Sequence, residues 1–336
     1  MKKQVIAAAV AAAFAVPAVA QVTIKGNIDL SYDGGKGNSS TKVLTSSRLT
    51  TSDLQMSGSE DLGGGLKAFF DINTGLSNVF GNGTLTGPTS GTNSLFYAAG
   101  SGMTSGEGGL IHLGDRGNRI GISGGFGTLA FGKTTGTATN TLRGGVLGNL
   151  SVLSAGGGAF ADDRDRPKDT IDYTSPAFSG VTVRALVQTS SQDYELSASY
   201  AKGPLQLGVA ALTDRSANKN DISARAIYNF GPLAATVNYQ NMKGGTSSAT
   251  ETNAVGTFTS FGVVVPMGSI SLMAEAQNRP DSIGKAVNLG AVYNLSKRTN
   301  AYAVYSKNQR STAATASETR VFEANALMGV GVRHSF

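Results

Sequence analysis

The last twelve residues, Asn325 to Phe336, alternate apolar with small or polar side chains up to the final position. Ala326, Met328, Val330, Val332 and Phe336 fall on one face; Asn325, Gly329, Gly331, Arg333 and Ser335 fall on the other. A strict period of two belongs to a β-strand held between two different surroundings. Chain ends usually fray in soluble domains, so a strand running flush to the carboxyl end calls for neighbours on both sides. The closing strand of a barrel, its outer face against lipid and its inner face against water, meets that demand.

The same alternation recurs along the chain. Val22, Ile24, Ile28, Leu30 and Tyr32 oppose Thr23, Lys25, Asn27, Asp29 and Ser31. Val181, Val183, Ala185 and Val187 oppose Thr182, Arg184 and Gln188, and Tyr194, Leu196, Ala198 and Tyr200 oppose Glu195, Ser197 and Ser199. Ile222, Ala224, Ala226 and Tyr228 oppose Ser223, Arg225 and Asn229, while Val287, Leu289, Ala291 and Tyr293 oppose Asn288 and Asn294. Charges keep to one face throughout. A soluble sandwich would alternate too, so the connections have to decide between the two.

Short turns recur at regular spacing: Asp61 to Gly65, Gly124 to Gly127, Pro176 to Gly180, Lys202 to Pro204, Phe230 to Pro232, Pro266 to Gly268 and Ser296 to Thr299. Longer stretches rich in Gly, Ser, Thr and Asn fall between them. Short turns alternating with long loops mark an outer-membrane barrel, the short ones facing the periplasm. Seven such turns join fourteen strands, and a strand at each end makes sixteen. Sharing residues 21–336 over sixteen strands leaves about 20 each, enough for a spanning strand of roughly ten and its share of loop. The expected fold is therefore all-β, a sixteen-stranded antiparallel transmembrane barrel. With no Trp in the chain, Tyr and Phe near strand ends, among them Tyr32, Tyr173, Tyr228, Phe230, Tyr239, Tyr293 and Phe336, would form the interfacial girdles.

The amino end points to the same compartment. Met1-Lys2-Lys3 precedes an apolar run from Val5 to Val16, and Ala18-Val19-Ala20 reads as a small-x-small cleavage site. Residues 1–20 are expected to be a secretory signal peptide and 21–336 the barrel, since the run is too short for a spanning helix of about 20 residues. Charged residues make up only 15% of the chain, against roughly 25% in soluble domains. Cysteine is absent, so stability would come from the closed hydrogen-bond network rather than from disulfides. The net charge of +6 includes Lys2 and Lys3; what remains is scattered, and no nucleic-acid partner is expected.

Five segments carry a family resemblance: Gly58 to Ala68 (GSEDLGGGLKA), Ile122 to Thr128 (ISGGFGT), Tyr173 to Pro176 (YTSP), Tyr293 to Thr299 (YNLSKRT) and the closing Gly329 to Phe336. Spread in order over the whole mature chain, they resemble the general porins of β-proteobacteria, which include the neisserial porins and the anion-selective porins of Bordetella and Comamonas relatives. The resemblance implies a sixteen-stranded barrel, usually a homotrimer, whose third extracellular loop folds inward and narrows the pore. It implies an outer-membrane location among lipid and lipopolysaccharide, assembly through recognition of Phe336 by the barrel-assembly machinery, and passive passage of ions and small hydrophilic solutes without a cofactor.

The segment matching the inward loop runs from about Thr135 to Asp169. It carries Arg143 and then Asp162, Asp163, Arg164, Asp165, Arg166, Lys168 and Asp169. Loops of that length are usually functional, and a mixed-charge constriction is expected there. Inward parity adds wall charges, of which Lys25, Asp53, Lys67, Asp71, Arg119, Asp172, Arg184 and Arg225 are pore-lining candidates beside Asp29, Glu195, Glu275 and Arg333. Arg119, Arg184 and Arg225 are expected to form a basic side of the narrow level. Two positions depart from the family: Asp53 and Asp172 stand where relatives usually carry Arg. Together they change the local charge by about four units, so weak selectivity is expected in place of the family's frequent anion preference.

An enzyme is a poor reading. Hydrolytic barrels need His in register with Ser, Asn or Asp, and His112 and His334, the only two histidines, have no partner visible in the sequence. A transition-metal site is equally unsupported. The alternative is a substrate-specific channel for a sugar or organic acid, which would need an aromatic slide; inward parity offers few candidates, Phe69 and Tyr302 among them.

Overall fold

A computed structural model describes residues 21–36, 43–76, 96–97, 111–142, 145–147, 166–215, 218–243, 256–278, 285–309 and 326–336. The expected leader, residues 1–20, lies outside them.

The strands follow the alternation. The first four are β1 (Gln21–Lys36), β2 (Val43–Ser46), β3 (Asp53–Gly63) and β4 (Leu66–Gly75). Two short pieces, β5 (Phe96–Tyr97) and β6 (Ile111–His112), pair in parallel as a separate sheet. β7 (Gly117–Gly124) and β8 (Gly127–Lys133) come next, then a single helical turn, α1 (Ala138–Thr141), then β9 (Thr170–Thr174) and β10 (Val181–Gln188). The remaining strands are β11 (Tyr194–Lys202), β12 (Leu205–Asp214), β13 (Lys219–Asn229), β14 (Ala234–Met242), β15 (Gly256–Met267), β16 (Ile270–Asn278), β17 (Lys285–Asn294), β18 (Thr299–Gln309) and β19 (Ala326–Ser335).

β2 and β3 both pair with β1, through Leu30↔Ser46 and Gln21↔Ser59 to Asn27↔Asp53, and so form one wall strand interrupted at 47–52. Counted that way, sixteen antiparallel strands each bond to their neighbours in the chain, and β1 pairs with β19 from Asn27↔Ser335 to Lys36↔Ala326. The ring is closed. At the seam, backbone bonds join Gly26 and Phe336 in both directions, N to O, at 3.1 and 3.0 Å. All seven expected short turns lie between consecutive strands. In the first, Gly63, Gly64 and Gly65 have φ of 81, 62 and 80°, a backbone that three successive side chains could not adopt without strain.

The faces are sorted as the alternation predicts. Leu207 and Val209 on β12, Ile222 on β13, Leu289 on β17 and Met328, Val330 and Val332 on β19 are exposed on the outer face. Asn238, Gln240, Ser260, Glu275, Gln277 and Asn288 are buried within. This is the reverse of a soluble core, and it suits a barrel with lipid outside. Tyr173, Tyr228, Phe230, Tyr293 and Phe336 are exposed toward the short-turn end, and Tyr32, Tyr194 and Tyr239 toward the other; these are the two interfacial belts.

The interruption of the second wall strand was not visible in the alternation. The Asp29 carboxylate accepts from the N–H groups of Leu49 and Thr50 at 2.7 and 2.6 Å, and Ser47 Oγ accepts from Ser52 N at 2.8 Å. These bonds turn 47–52 inward. Leu49 then joins Leu147, Val292, Tyr302 and Val304 in a small apolar cluster inside the barrel.

Candidate functional site

Inward parity on β4, β7, β9, β10 and β11 assembles five charges into an alternating row. Arg119 Nη2 lies 3.4 Å from Asp71 Oδ2, and Arg119 Nη1 lies 3.8 Å from Asp172 Oδ2. Arg184 donates from Nε to Asp172 Oδ1 at 2.8 Å and from Nη2 to Oδ2 at 2.7 Å, a two-pronged pair of the strong kind. Arg184 Nη1 is also 3.9 Å from Glu195 Oε1. Gln55 Nε2 donates to the far oxygen of Asp71 at 2.8 Å.

Arg119 can reach Asp172 because the intervening strand is nearly bare. It pairs with Gly132 of β8, and Asp172 pairs with Ala130 of the same strand. Gly132 has φ 122°, and a methyl group there would collide with the Asn118 carbonyl oxygen, so the position excludes a side chain. The pair spans two inter-strand spacings, about 10 Å.

The segment after β8 is fixed to the inner wall. Arg184 donates to the Gly136 carbonyl at 3.0 Å and to Thr134 Oγ1 at 2.9 Å. Thr137 caps α1, accepting from Asn140 N at 3.3 Å. The Glu195 carboxylate accepts from Ala138 N at 2.7 Å, Thr139 N at 2.8 Å and Thr139 Oγ1 at 2.6 Å. Ser223 Oγ and Gln240 Nε2 both donate to the Thr139 carbonyl, at 3.0 and 3.1 Å, and Arg225 Nη1 donates to the Thr141 carbonyl at 3.3 Å.

Beyond α1, apolar side chains settle on inward-facing glycines. Leu142 covers Gly208 of β12, Val146 covers Gly262 of β15 and Leu147 covers Gly290 of β17, while Gly145 lies against the carboxylate of Glu275. Its described part, 134–142 and 145–147, meets β10 to β17 at inward positions and so lies inside the barrel.

Of the candidate residues, Asp71, Arg119, Asp172 and Arg184 are brought together, and Arg225 meets the loop. Arg119 and Arg184 do not form the expected basic side, because each is held by carboxylates. Asp53 accepts from Asn27 Nδ2 at 3.1 Å and Asn73 Nδ2 at 2.9 Å, apart from the row. Lys25 and Lys67 are exposed, Lys67 two residues from the Gly65 turn. Arg166 is half-buried in the approach to β9. Arg143, Asp162, Asp163 and Arg164 lie outside the described residues. The sequence pointed to Glu195 as a wall charge but not as the anchor of the loop, and the glycine seats were missed. Their one signal was glycine at the inward parity of otherwise regular strands. Among the described residues, no group of three or more His, Cys, Asp or Glu is placed to hold a metal.

A closed barrel, apolar outside and polar within, with residues 134–142 and 145–147 against its inner wall, defines a membrane-spanning channel protein. Residues 7–313 match the Gram-negative porin family, and the chain belongs to it. It is 26% identical over 381 aligned positions to outer membrane porin protein 32 of Delftia acidovorans, with all of both chains covered. The fold is similar to that of the anion-selective porin from Comamonas acidovorans, with a TM-score of 0.64 at 22% identity over 94% of this chain and 100% of that one. It is also similar to a mutant of the Rh. blastica porin, with a TM-score of 0.62 at 13% identity and coverage of 94% and 100%. The protein is thus an outer-membrane diffusion channel.

Proposed function

We propose that the protein is a weakly selective general pore, a passive, water-filled path for ions and small hydrophilic solutes narrowed by the loop between β8 and β9. A sixteen-stranded barrel is too wide for its own side chains to fill, so the loop and the wall charges set the size and charge limits. The observation that carries this reading is the fixing of the loop on the inner wall by Arg184, Glu195 and the three glycine seats. The pore lining then comprises Lys25, Asp53, Asp71, Arg119, Asp172, Arg184 and Arg225, with Lys67 at the periplasmic rim and Arg143, Asp162, Asp163, Arg164 and Arg166 on the loop. Pairing of acids with arginines supports weak selectivity.

No catalytic role is proposed. His334 lies on the outer face with Thr299 Oγ1 2.9 Å from its Nδ1, and no acid among the described residues completes a hydrolytic triad with them. An aromatic slide is also unsupported, because Tyr302 is buried among Leu49, Leu147 and Val304 and hydrogen bonds to Asp29. The mature chain begins at Gln21 and assembles as a homotrimer in the lipid and lipopolysaccharide of the outer membrane, with Phe336 read by the assembly machinery.

Swelling of proteoliposomes in neutral solutes of increasing size tests the proposal. Entry should fall smoothly with solute size and rise linearly with concentration. Saturable entry of one sugar or organic acid, with others excluded, would reject it in favour of a substrate-specific channel.

A further inference from the structure

We infer that Asp172 is the residue that sets the sign of ion selectivity, by masking two arginines that would otherwise make the wall basic. The inference rests on the reading of the protein as an open pore. The row Asp71, Arg119, Asp172, Arg184 and Glu195 holds three acids and two bases, but the two kinds are not equally placed. The side chains of Arg119 and Arg184 are 27% and 20% exposed, whereas those of Asp71, Asp172 and Glu195 are 12%, 5% and 0% exposed. Water in the lumen therefore meets guanidinium edges, with the neutralising carboxylates behind them.

Among the described residues, Asp172 alone touches both guanidiniums. Of the two guanidiniums Asp71 reaches only that of Arg119, and its other oxygen is taken by Gln55. Glu195 spends its oxygens on the backbone of α1 and on Thr139. Removing the charge of Asp172 deprives Arg184 of its two-pronged partner and Arg119 of its second acid, while both cations stay at the water-facing edge. Removing Asp71 would affect Arg119 alone. An acid at this point in the row lets a wall with two partly exposed arginines avoid an anion preference.

The test is the reversal potential of the refolded mature protein in a planar bilayer under a KCl gradient. Asp172→Asn should raise the chloride-to-potassium permeability ratio about fivefold, the effect of one unit charge a few ångströms from a hydrated ion, and the shift should shrink in high salt. Adding Arg119→Gln to Asp172→Asn should return the ratio toward the wild-type value. Arg119→Gln alone should move it toward potassium, which tests the row even if Asp172→Asn does not refold. A conducting Asp172→Asn channel with an unchanged reversal potential would overturn the inference while leaving the pore reading intact. So would a shift that Arg119→Gln does not reverse, since that would mark a displaced loop instead of an unmasked charge. Absence of conductance in the wild type would sink the pore reading, and this inference with it.

Discussion

At the scale of single residues, glycine and the paired charges divide the inner wall between them. A glycine facing inward in a β-strand is normally a weakness, because it leaves the strand without a side chain to pack. Here Gly208, Gly262 and Gly290 receive Leu142, Val146 and Leu147 from the loop, so the lost packing is restored by a different part of the chain. A methyl group at Gly262 would stand 2.8 Å from Cγ1 of Val146. Gly262→Ala should therefore force the loop off the wall or strain the strand, at about 1–3 kcal/mol for overpacking. A lowered urea midpoint for the detergent-solubilised barrel is the expected readout. The loop rests on fitted seats only if the same substitution at Gly64, where a Cβ meets nothing within 4 Å, acts solely through its positive φ.

At the scale of elements, α1 is a single turn that could not hold its shape alone, since nucleation is unfavourable in short helices. Thr137 satisfies one of its free N–H groups and Glu195, from the barrel wall, satisfies two more. Glu195→Gln would turn an amide NH₂ or a weaker neutral acceptor toward those donors. It should cost about 1–3 kcal/mol and make the loop more susceptible to limited proteolysis while the strands stay protected. Equal cleavage in wild type and variant would show that the carboxylate does not anchor the segment. This scale also separates what the sequence revealed from what it concealed. The strands and all seven short turns were legible because alternation, glycine and proline are local signals. The loop anchorage was not, because Glu195 meets residues 56 and 57 positions away. The row of charges was half legible. Parity placed Arg119, Asp172 and Arg184 on the inside, but their pairing depends on register across β7 to β10 and on bare positions in β8. The break at 47–52 was hidden for a similar reason, since Asp29 reaches Leu49 and Thr50 from another strand.

At the scale of the whole molecule, two solvents shape one sheet. The outer face is apolar and the inner face polar, so the protein needs no buried core of the soluble kind beyond the small cluster around Leu147. Val209, exposed near the middle of β12, should tolerate no charge. Val209→Arg is expected to lose about 2–4 kcal/mol if that position lies near the bilayer midplane, measured by reversible unfolding in lipid. Little loss there would place the residue outside the apolar band. Closure of β1 on β19 and the matched belts of aromatic residues give the barrel a fixed depth in the membrane, with the long loops on one side and the short turns on the other.

Passive diffusion through the barrel requires its interior to be open to water. Single-channel recording of the purified mature protein in a planar bilayer examines that claim directly. The expected result is stepwise current, grouped in threes for a trimer, with conductance that rises in proportion to bulk salt and a small reversal potential. Silence in the bilayer, or current that saturates at moderate salt and is blocked by one solute at micromolar concentration, would contradict a general diffusion pore.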